Sequence, residues 1–488
     1  MGEIVAAVGT CHTPYMFTRP PDENPQQLDQ AGAAMQELGK VLDETKPDVI
    51  IFLGADHVET FSVSCVPTFA IVAGSNAVAR FAGRERIMPI HREMAEDVLN
   101  KLVAEHNFDM SYSEDAELGH AFAVPFEYVI GQRNIPVIPF FTNVYVPPLP
   151  TPKRCEALGK ALAEIIKGRK ERVAIIASGG MSHFPGTTKY LHPEFDFDRW
   201  LVSQFEAGNT NALLNMTGTQ LDEVGNTEML SWAILFGAIG AQKGELIDYI
   251  PTWHHGLCMM RFLPERARKN QPTEVASRFG GFEFKDQGFL FYKHPPAEAY
   301  GLNKLLFESR HSAELRRRII DDLDSVAREY QLEGKQRAAA EEMVNVGKGG
   351  LVSEHVGPLA EAGAHPLQDV FVLLVHRQHQ HARGRQCFTQ AADHLDSVQP
   401  RHRQVDDDDI GPRLHGFLDR LDAVGGLCDH LHVAIGLQHA DQAFADHGVV
   451  VDDQNTHQQL PRSNAAGCIM RRQAGRWREG ACRGRARI

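Results

Sequence analysis

Arg172-Val173-Ala174-Ile175-Ile176-Ala177-Ser178-Gly179-Gly180-Met181-Ser182-His183 is the stretch whose reading decides the fold. Its apolar, β-branched start reads as a strand buried on both faces, and the glycine pair that follows ends it. A histidine stands in the loop beyond. The same construction recurs twice: residues 4–8 run into Gly9-Thr10-Cys11-His12-Thr13-Pro14, and residues 49–53 into Gly54-Ala55-Asp56-His57. Further strand-like runs lie at 62–73 and 136–145. Helical periodicities fill the intervals at 27–45, 90–105, 155–167, 197–206 and 227–241. This alternation predicts an α/β fold, a layered sheet with flanking helices.

Composition bounds the function. With 488 residues, 43% of them hydrophobic, the chain is long enough for several domains of roughly 150 residues, each with its own core. Fifty Lys and Arg against 63 Asp and Glu leave a net charge of -13, and no basic block interleaves with aromatics, so no nucleic-acid partner is expected. Apolar runs such as 49–53 and 173–177 have strand length, far below the roughly 20 residues of a membrane helix, so no membrane span is expected. Residues 1–13 lack the cationic start and apolar core of a secretory signal. Eight cysteines without a CxxC pair read as reduced thiols, and the expected location is cytoplasmic.

The composition breaks near residue 349. From there to residue 488 there is no Lys and no Tyr, while 13 of the 24 histidines and 15 arginines fall in this part. A domain of this size rarely drops two residue types. Beyond roughly residue 369 the region reads as a tail translated from an altered frame or under unusual codon bias; the competing reading is a His-rich metal-binding tail, for which no HxxxH or CxxC geometry repeats. The expected organisation is an α/β domain at 1–270, a linker at 271–299 and a small all-α module at 300–368. An atypical, poorly ordered tail follows at 369–488. Within the module, helices are predicted at 302–309, 312–330 and 335–346.

The histidines carry the chemistry. His12, His57 and His183 each follow a predicted strand, where open α/β sheets place their ligands, and His120 in Glu117-Leu118-Gly119-His120 precedes an apolar segment. One such histidine alone is an ordinary core or surface residue. Four are hard to explain as packing. Glu228, in Gly225-Asn226-Thr227-Glu228-Met229-Leu230-Ser231-Trp232, opens an apolar helix; alone it reads as a residue favoured by the helix dipole. A carboxylate among Met, Leu and Trp must nonetheless be paired, protonated or metal-bound. Two neutral imidazoles and one carboxylate suit non-haem Fe(II) oxygen chemistry, and the same donors can hold zinc with a bound water.

In chain order GTCHTP (9–14), GADH (54–57), ELGHAFAVPFEYV (117–129), IPVIPFFTNVYVPPLP (135–150), GGMSH (179–183) and GNTEMLSWAILFGAIG (225–240) resemble the catalytic subunit of class III extradiol ring-cleavage dioxygenases of the protocatechuate 4,5-dioxygenase type. The resemblance covers about residues 1–265. The region around 300–368, with YGLNKLL and EAGAHPLQ, resembles the small subunit of that enzyme, here on the same chain as in gallate dioxygenase. The resemblance implies His12, His57 and Glu228 as ligands of Fe(II), His183 as the acid/base and His120 as a second pocket histidine near the substrate oxygens. The carboxylate-binding segment departs from the family: it reads Pro251-Thr252-Trp253-His254-His255-Gly256, bulky where the protocatechuate enzyme is small and polar. Trp253, His254 and His255 are therefore expected to bind the substrate ring.

The implied reaction inserts both atoms of O2 into a vicinal-diol ring, a catechol carboxylate or a dihydroxypyridine, and opens it to a semialdehyde or its heterocyclic equivalent. His183, with an ordinary imidazole pKa near 6.5, suits removal and return of a hydroxyl proton. The expected partners are the aromatic diol and O2, in a homo-oligomer, a dimer. The alternative from another class is a zinc-dependent hydrolase or a non-catalytic metal-binding relative on the same scaffold.

Overall fold

The computed structural model describes residues 1–262, 279 and 281–347, together with three short strands further on. Its elements run β1 (Glu3–Thr10), α1 (Tyr15–Thr18), α2 (Pro25–Thr45), β2 (Val49–Ala55), β3 (Phe69–Val72), β4 (Asn76–Phe81), β5 (Arg84–Pro89), α3 (Arg92–Ala104), β6 (Ser111–Ser113), α4 (His120–Pro125), β7 (Val137–Thr142), α5 (Pro152–Lys167), β8 (Arg172–Ser178), α6 (Phe195–Ala207), α7 (Asn211–Leu214), α8 (Gly218–Glu223), α9 (Met229–Ile239), β9 (Glu245–Pro251) and β10 (Gly256–Phe262). A π-helical stretch, Phe126–Ile130, continues α4.

Eight strands form one sheet in the order β6-β3-β7-β2-β8-β1-β10-β9. Its centre, β7-β2-β8-β1, is parallel and apolar except at the strand ends, as a sheet covered on both faces requires. Helices α4 and α9 cover opposite faces. Gly54, beside Phe122 of α4, points away from the face on which its neighbour Leu53 and Gly9, which is beside Trp232 of α9, share a row through Ala177. The fold is thus the expected α/β sheet with flanking helices, and β8 occupies the residues read as a strand at 172–178.

Several elements differ from the sequence reading. Of residues 62–73 only Phe69–Val72 pair as a strand, because Pro67 lacks an N–H and the Asp56 carboxylate folds the preceding loop onto itself by accepting the N–H groups of Glu59, Thr60 and Phe61. The hairpin β4–β5 and the antiparallel β9 and β10 were not apparent. In β10 the Cys and Met of Gly256–Phe262 replace the β-branched residues that usually mark a strand.

Beyond the α/β domain, residues 285–292, part of the strap expected to be a linker, are bound to it. Asp222 accepts the N–H groups of Leu290, Phe291 and Tyr292 at 2.7, 3.0 and 3.0 Å, and Glu223 those of Lys285 and Asp286, both at 2.7 Å. The all-α module follows as α10 (Tyr300–His311), α11 (Ala313–Asp321), α12 (Leu323–Glu329) and α13 (Gly334–Gly347). Its small core contains Leu302, Leu305, Leu306, Leu315, Ile319 and Val326. The single helix predicted at 312–330 is divided at Asp322, whose side chain accepts the N–H of Ser325 and so starts α12 as an N-cap.

No helix among the described residues is long and apolar enough to cross a membrane. In the region of the expected tail, β11 (Val450–Val451), β12 (Ile469–Gln473) and β13 (Arg476–Glu479) form a small sheet of their own. The rest of that expectation, like residues 263–278, lies outside the described residues.

Helix α9 is apolar on every side and lies buried against α5. Gly159 and Gly237 make this approach possible. A Cβ on Gly159 would lie 1.9 Å from the carbonyl oxygen of Ile234, and one on Gly237 would lie 2.1 Å from that of Glu156. Helix propensity alone favours Gly159→Ala by about 0.5–1 kcal/mol. The contact with backbone reverses the sign, so Gly159→Ala is expected to destabilise the chain by about 1–3 kcal/mol in urea unfolding. A stabilised variant would show that α5 and α9 can separate at no cost.

Candidate functional site

The parallel centre of the sheet sets the site. At the carboxyl ends of its four adjacent strands stand Tyr145 after β7, His57 after β2, His183 after β8 and His12 after β1. Parallel strands all end on one edge, so four loops far apart in sequence meet there. Glu228 enters as the N-cap residue of α9, with no solvent exposure.

Three donors converge. His57 Nε2 lies 2.9 Å from Glu228 Oε1, His12 Nε2 lies 3.2 Å from Glu228 Oε2, and the two imidazole nitrogens are 3.3 Å apart. The tautomer of His12 follows from its surroundings. The Ser178 hydroxyl donates to the Ala121 carbonyl at 2.7 Å, so its oxygen accepts from His12 Nδ1–H at 2.8 Å, and Nε2 presents a lone pair to the cluster. His120 adds a third imidazole, with ligand atoms of His12, His57 and His120 all within 4.8 Å of one another. The His57 Nδ1 atom is buried without a hydrogen-bond partner.

Burial pushes His12 below the ordinary imidazole range although Glu228 adjoins it, and pushes His57 down to about 3, with His120 adding to the effect. For Glu228 burial favours the neutral acid, but the imidazoles of His12 and His183 outweigh it and hold the carboxyl well below its usual range. Two neutral imidazoles beside an ionised carboxylate are the form a divalent metal ion needs. These residues therefore fit a metal ion by donor type, protonation and convergence.

His183 reaches the same carboxylate from the other side. Its Nδ1–H donates to the Met181 carbonyl at 2.7 Å, and its Nε2 lies 3.2 Å from both Glu228 Oε1 and the Tyr145 hydroxyl. Burial opposes its charged form, yet Glu228 wins and the imidazole is shifted upward. The loop that carries it is anchored by buried Asp198, which accepts from Ser182 N–H, Asn226 and Tyr249. His255 stacks on the His183 ring at 3.9 Å and 19°.

The structure brings His12, His57, His120, His183, His255 and Glu228 together. Trp253 and His254 stand one step away, in an aromatic group with Tyr15 and Tyr190, where His254 Nε2 pairs with Glu23 at 2.7 Å. Trp253 remains 40% exposed.

Three site residues escaped the sequence reading. Tyr145 donates its hydroxyl to Glu228 and packs against Tyr292 at 4.8 Å. Its place in IPVIPFFTNVYVPPLP, just after a strand, was the available signal. Glu59, two residues after His57, holds His120: it accepts the backbone N–H at 2.8 Å and the ring Nδ1–H at 2.9 Å. Arg310, on α10, pairs with Glu59, and nothing in its sequence neighbourhood announces this.

Residues 6–255, 250 of the 488, match the family described as the catalytic LigB subunit of aromatic ring-opening dioxygenase. Among curated proteins, a 2,3-dihydroxyphenylpropionate/2,3-dihydroxicinnamic acid 1,2-dioxygenase of Klebsiella pneumoniae (strain 342) is 28% identical over 175 residues, 36% of this chain and 55% of that protein. One of the same name from Cupriavidus necator is 24% identical over 305 residues, 52% of this chain and 96% of its own length. The chain thus spans about half the length of the first curated relatives it matches. A solved structure of an uncharacterized Escherichia coli K12 protein aligns with 53% of this chain and 99% of its own at 13% identity, with a TM-score of 0.38.

Glu228→Ala removes the one anionic donor of the converging set while α9 keeps its apolar surface. The variant is expected to retain no iron after anaerobic Fe(II) loading and desalting, with an unchanged far-UV circular dichroism spectrum. Iron retained at the wild-type ratio would refute Glu228 as a ligand, and global unfolding would make its role structural.

Proposed function

The chain belongs to the catalytic LigB subunit family of aromatic ring-opening dioxygenases, and from that premise we propose that it is an Fe(II)-dependent extradiol dioxygenase that cleaves a vicinal-diol aromatic or heteroaromatic ring. The observation that carries the proposal is the meeting of His12, His57 and Glu228 within 3.3 Å at the sheet edge, with His183 on the same carboxylate. In this reading His12, His57 and Glu228 hold the ion. Bound there, Fe(II) supplies open positions for a diol and O2 and the electron exchange between them. The family match does not favour the zinc-hydrolase alternative.

The chain's own groups supply the rest. Met181 fixes the proton of His183 on Nδ1, so Nε2 is the atom that takes a proton from a substrate hydroxyl and later returns it. The stacked His255 ring restrains that imidazole from rotating. His120, held through Nδ1 by Glu59, leaves Nε2 to meet a substrate oxygen. The buried aromatic pair Tyr145 and Tyr292 keeps bulk water from this side of the centre.

The substrate class proposed is a catechol carrying a carboxylate, or a dihydroxypyridine, with Trp253, His254 and His255 as the segment that meets the ring or its substituent. The printed names of the relatives add 2,3-dihydroxyphenylpropionate to the candidates. The module at 300–368 is proposed as the counterpart of a small subunit, and a homodimer as the assembly.

Oxygen uptake by anaerobically Fe(II)-loaded protein, followed across protocatechuate, gallate, catechol, 2,3-dihydroxyphenylpropionate and dihydroxypyridines, tests the reading directly. Turnover of at least one with ring-cleavage absorbance is expected; no uptake with any would refute the proposal. His183→Ala should lower kcat by about 10²- to 10⁴-fold at unchanged iron content. A loss within a factor of two would remove His183 from proton transfer. His120→Ala should lower kcat/KM less than His183→Ala does, again at unchanged iron content.

A further inference from the structure

The appended module reaches the candidate site through one buried carboxylate. Glu59 is 6% exposed and lies in the loop after β2, where Asp56 fixes the backbone by accepting the Glu59 N–H at 3.0 Å. Its carboxylate has two clients. Oε2 accepts the backbone N–H of His120 at 2.8 Å, and Oε1 accepts its ring Nδ1–H at 2.9 Å. Oε1 is also met by the guanidinium of Arg310, from the last turn of α10, whose side chain is 9% exposed. The neighbouring His311 adds a bond from Nε2 to the Glu59 carbonyl at 3.2 Å.

The fit is specific to these residues. A Cβ on Gly119 would lie 1.6 Å from Glu59 Oε2, so only glycine lets the carboxylate reach the start of α4. Phe307 of α10 packs on the α/β core and brings Arg310 into range. Oε1 thus serves the ring N–H and the guanidinium together, and the charge-assisted bond from Arg310 holds that oxygen where the ring N–H needs it. We propose that Arg310 of the appended helical module is a positioning residue of the active site, acting through Glu59 to fix the orientation and tautomer of His120. This rests on the dioxygenase reading for its catalytic consequence; the orientation of His120 does not depend on it.

The experiment uses the full chain. Arg310→Met keeps the long apolar stem and removes the charge, Arg310→Lys restores a charge, and Glu59→Gln tests the same link with Arg310 in place. In metal-free protein labelled at histidine with 15N, the Nδ1–H proton of His120, assigned by its absence in His120→Ala, is expected to be protected from solvent exchange. It should be lost in Arg310→Met and in Glu59→Gln and present in Arg310→Lys. With whichever diol the loaded enzyme turns over, Arg310→Met should lower kcat/KM roughly tenfold, without loss of iron, and Arg310→Lys should recover most of it. In a His120→Ala background Arg310→Met should have no further effect, because its action passes through that ring.

A protected Nδ1–H signal that survives in Arg310→Met, or an additive loss in the His120→Ala background, overturns the proposal and leaves Arg310 a docking contact. If Arg310→Met does not fold, Arg310→Gln, which also removes the charge, decides in the same two measurements. If no diol is turned over, the dioxygenase reading fails by itself and the exchange measurement still decides the position of His120.

Discussion

One buried charge organises this molecule. Glu228 has no exposure to solvent, and an ionised carboxylate in that position is tolerable only when every oxygen lone pair is engaged. Its engagements come from all parts of the α/β domain: His12 after β1, His57 after β2, Tyr145 after β7, and Gly180 N–H and His183 after β8. Each partner lies in a loop whose strand belongs to the parallel centre. The sheet order β7-β2-β8-β1 is therefore as much a condition of the site as the residues themselves. Shift any of these strands by one residue and its histidine turns to the wrong face.

This dependence explains what could be read in advance. Buried parallel strands are continuous apolar runs, so 172–178, 49–53 and 4–8 announced themselves, and the histidine after each marked the edge where they end. The chain's charge, spread over a long sequence, said only what to exclude. What stayed hidden is what depends on contact across the sequence. Tyr145 has no periodic or motif signature of its own. The link from Arg310 to Glu59 spans 251 residues, and no local pattern encodes it. The break at Asp322 was missed because the apolar spacing Ile319, Leu323, Val326 runs through it at helical period, and only its capping of Ser325 shows that the chain restarts there. Strand β10 was hidden by composition, since its Met and Cys pack like branched residues without resembling them.

The module and the strap attach to the α/β domain in different ways. Phe279, Phe282, Phe284 and Phe291 of the strap join the main core, and Tyr292 lies completely buried against Tyr145. Such apolar burial supplies affinity without direction. The module's own core is small, with Leu302, Leu305, Leu306 and Ile319 among its members, and its polar attachment at Glu59 is a single geometry. A domain with so small a core gains stability by docking, and here the docking contact falls on Glu59, the carboxylate that also holds His120.

The buried acids around the site share a further property. Asp56 accepts the N–H groups of Glu59, Thr60 and Phe61; Glu59 that of His120; Asp198 that of Ser182; Asp222 those of 290–292; Glu223 those of Lys285 and Asp286; Glu228 that of Gly180. Every one of these carboxylates holds a loop. Loops that carry catalytic groups have few apolar contacts to fix them, and their backbone N–H groups are unpaired unless something supplies an acceptor. A carboxylate can serve several N–H groups at once and binds each more strongly than a carbonyl does. Those same bonds offset part of its burial cost; at Asp56 and Asp198 burial still outweighs them and pushes the carboxyls up to about 6 and about 7. The side chains that would be a liability in an apolar core are thus the means by which the loops around the imidazoles are held in place, and the stack of His255 on His183 adds ring packing to those bonds.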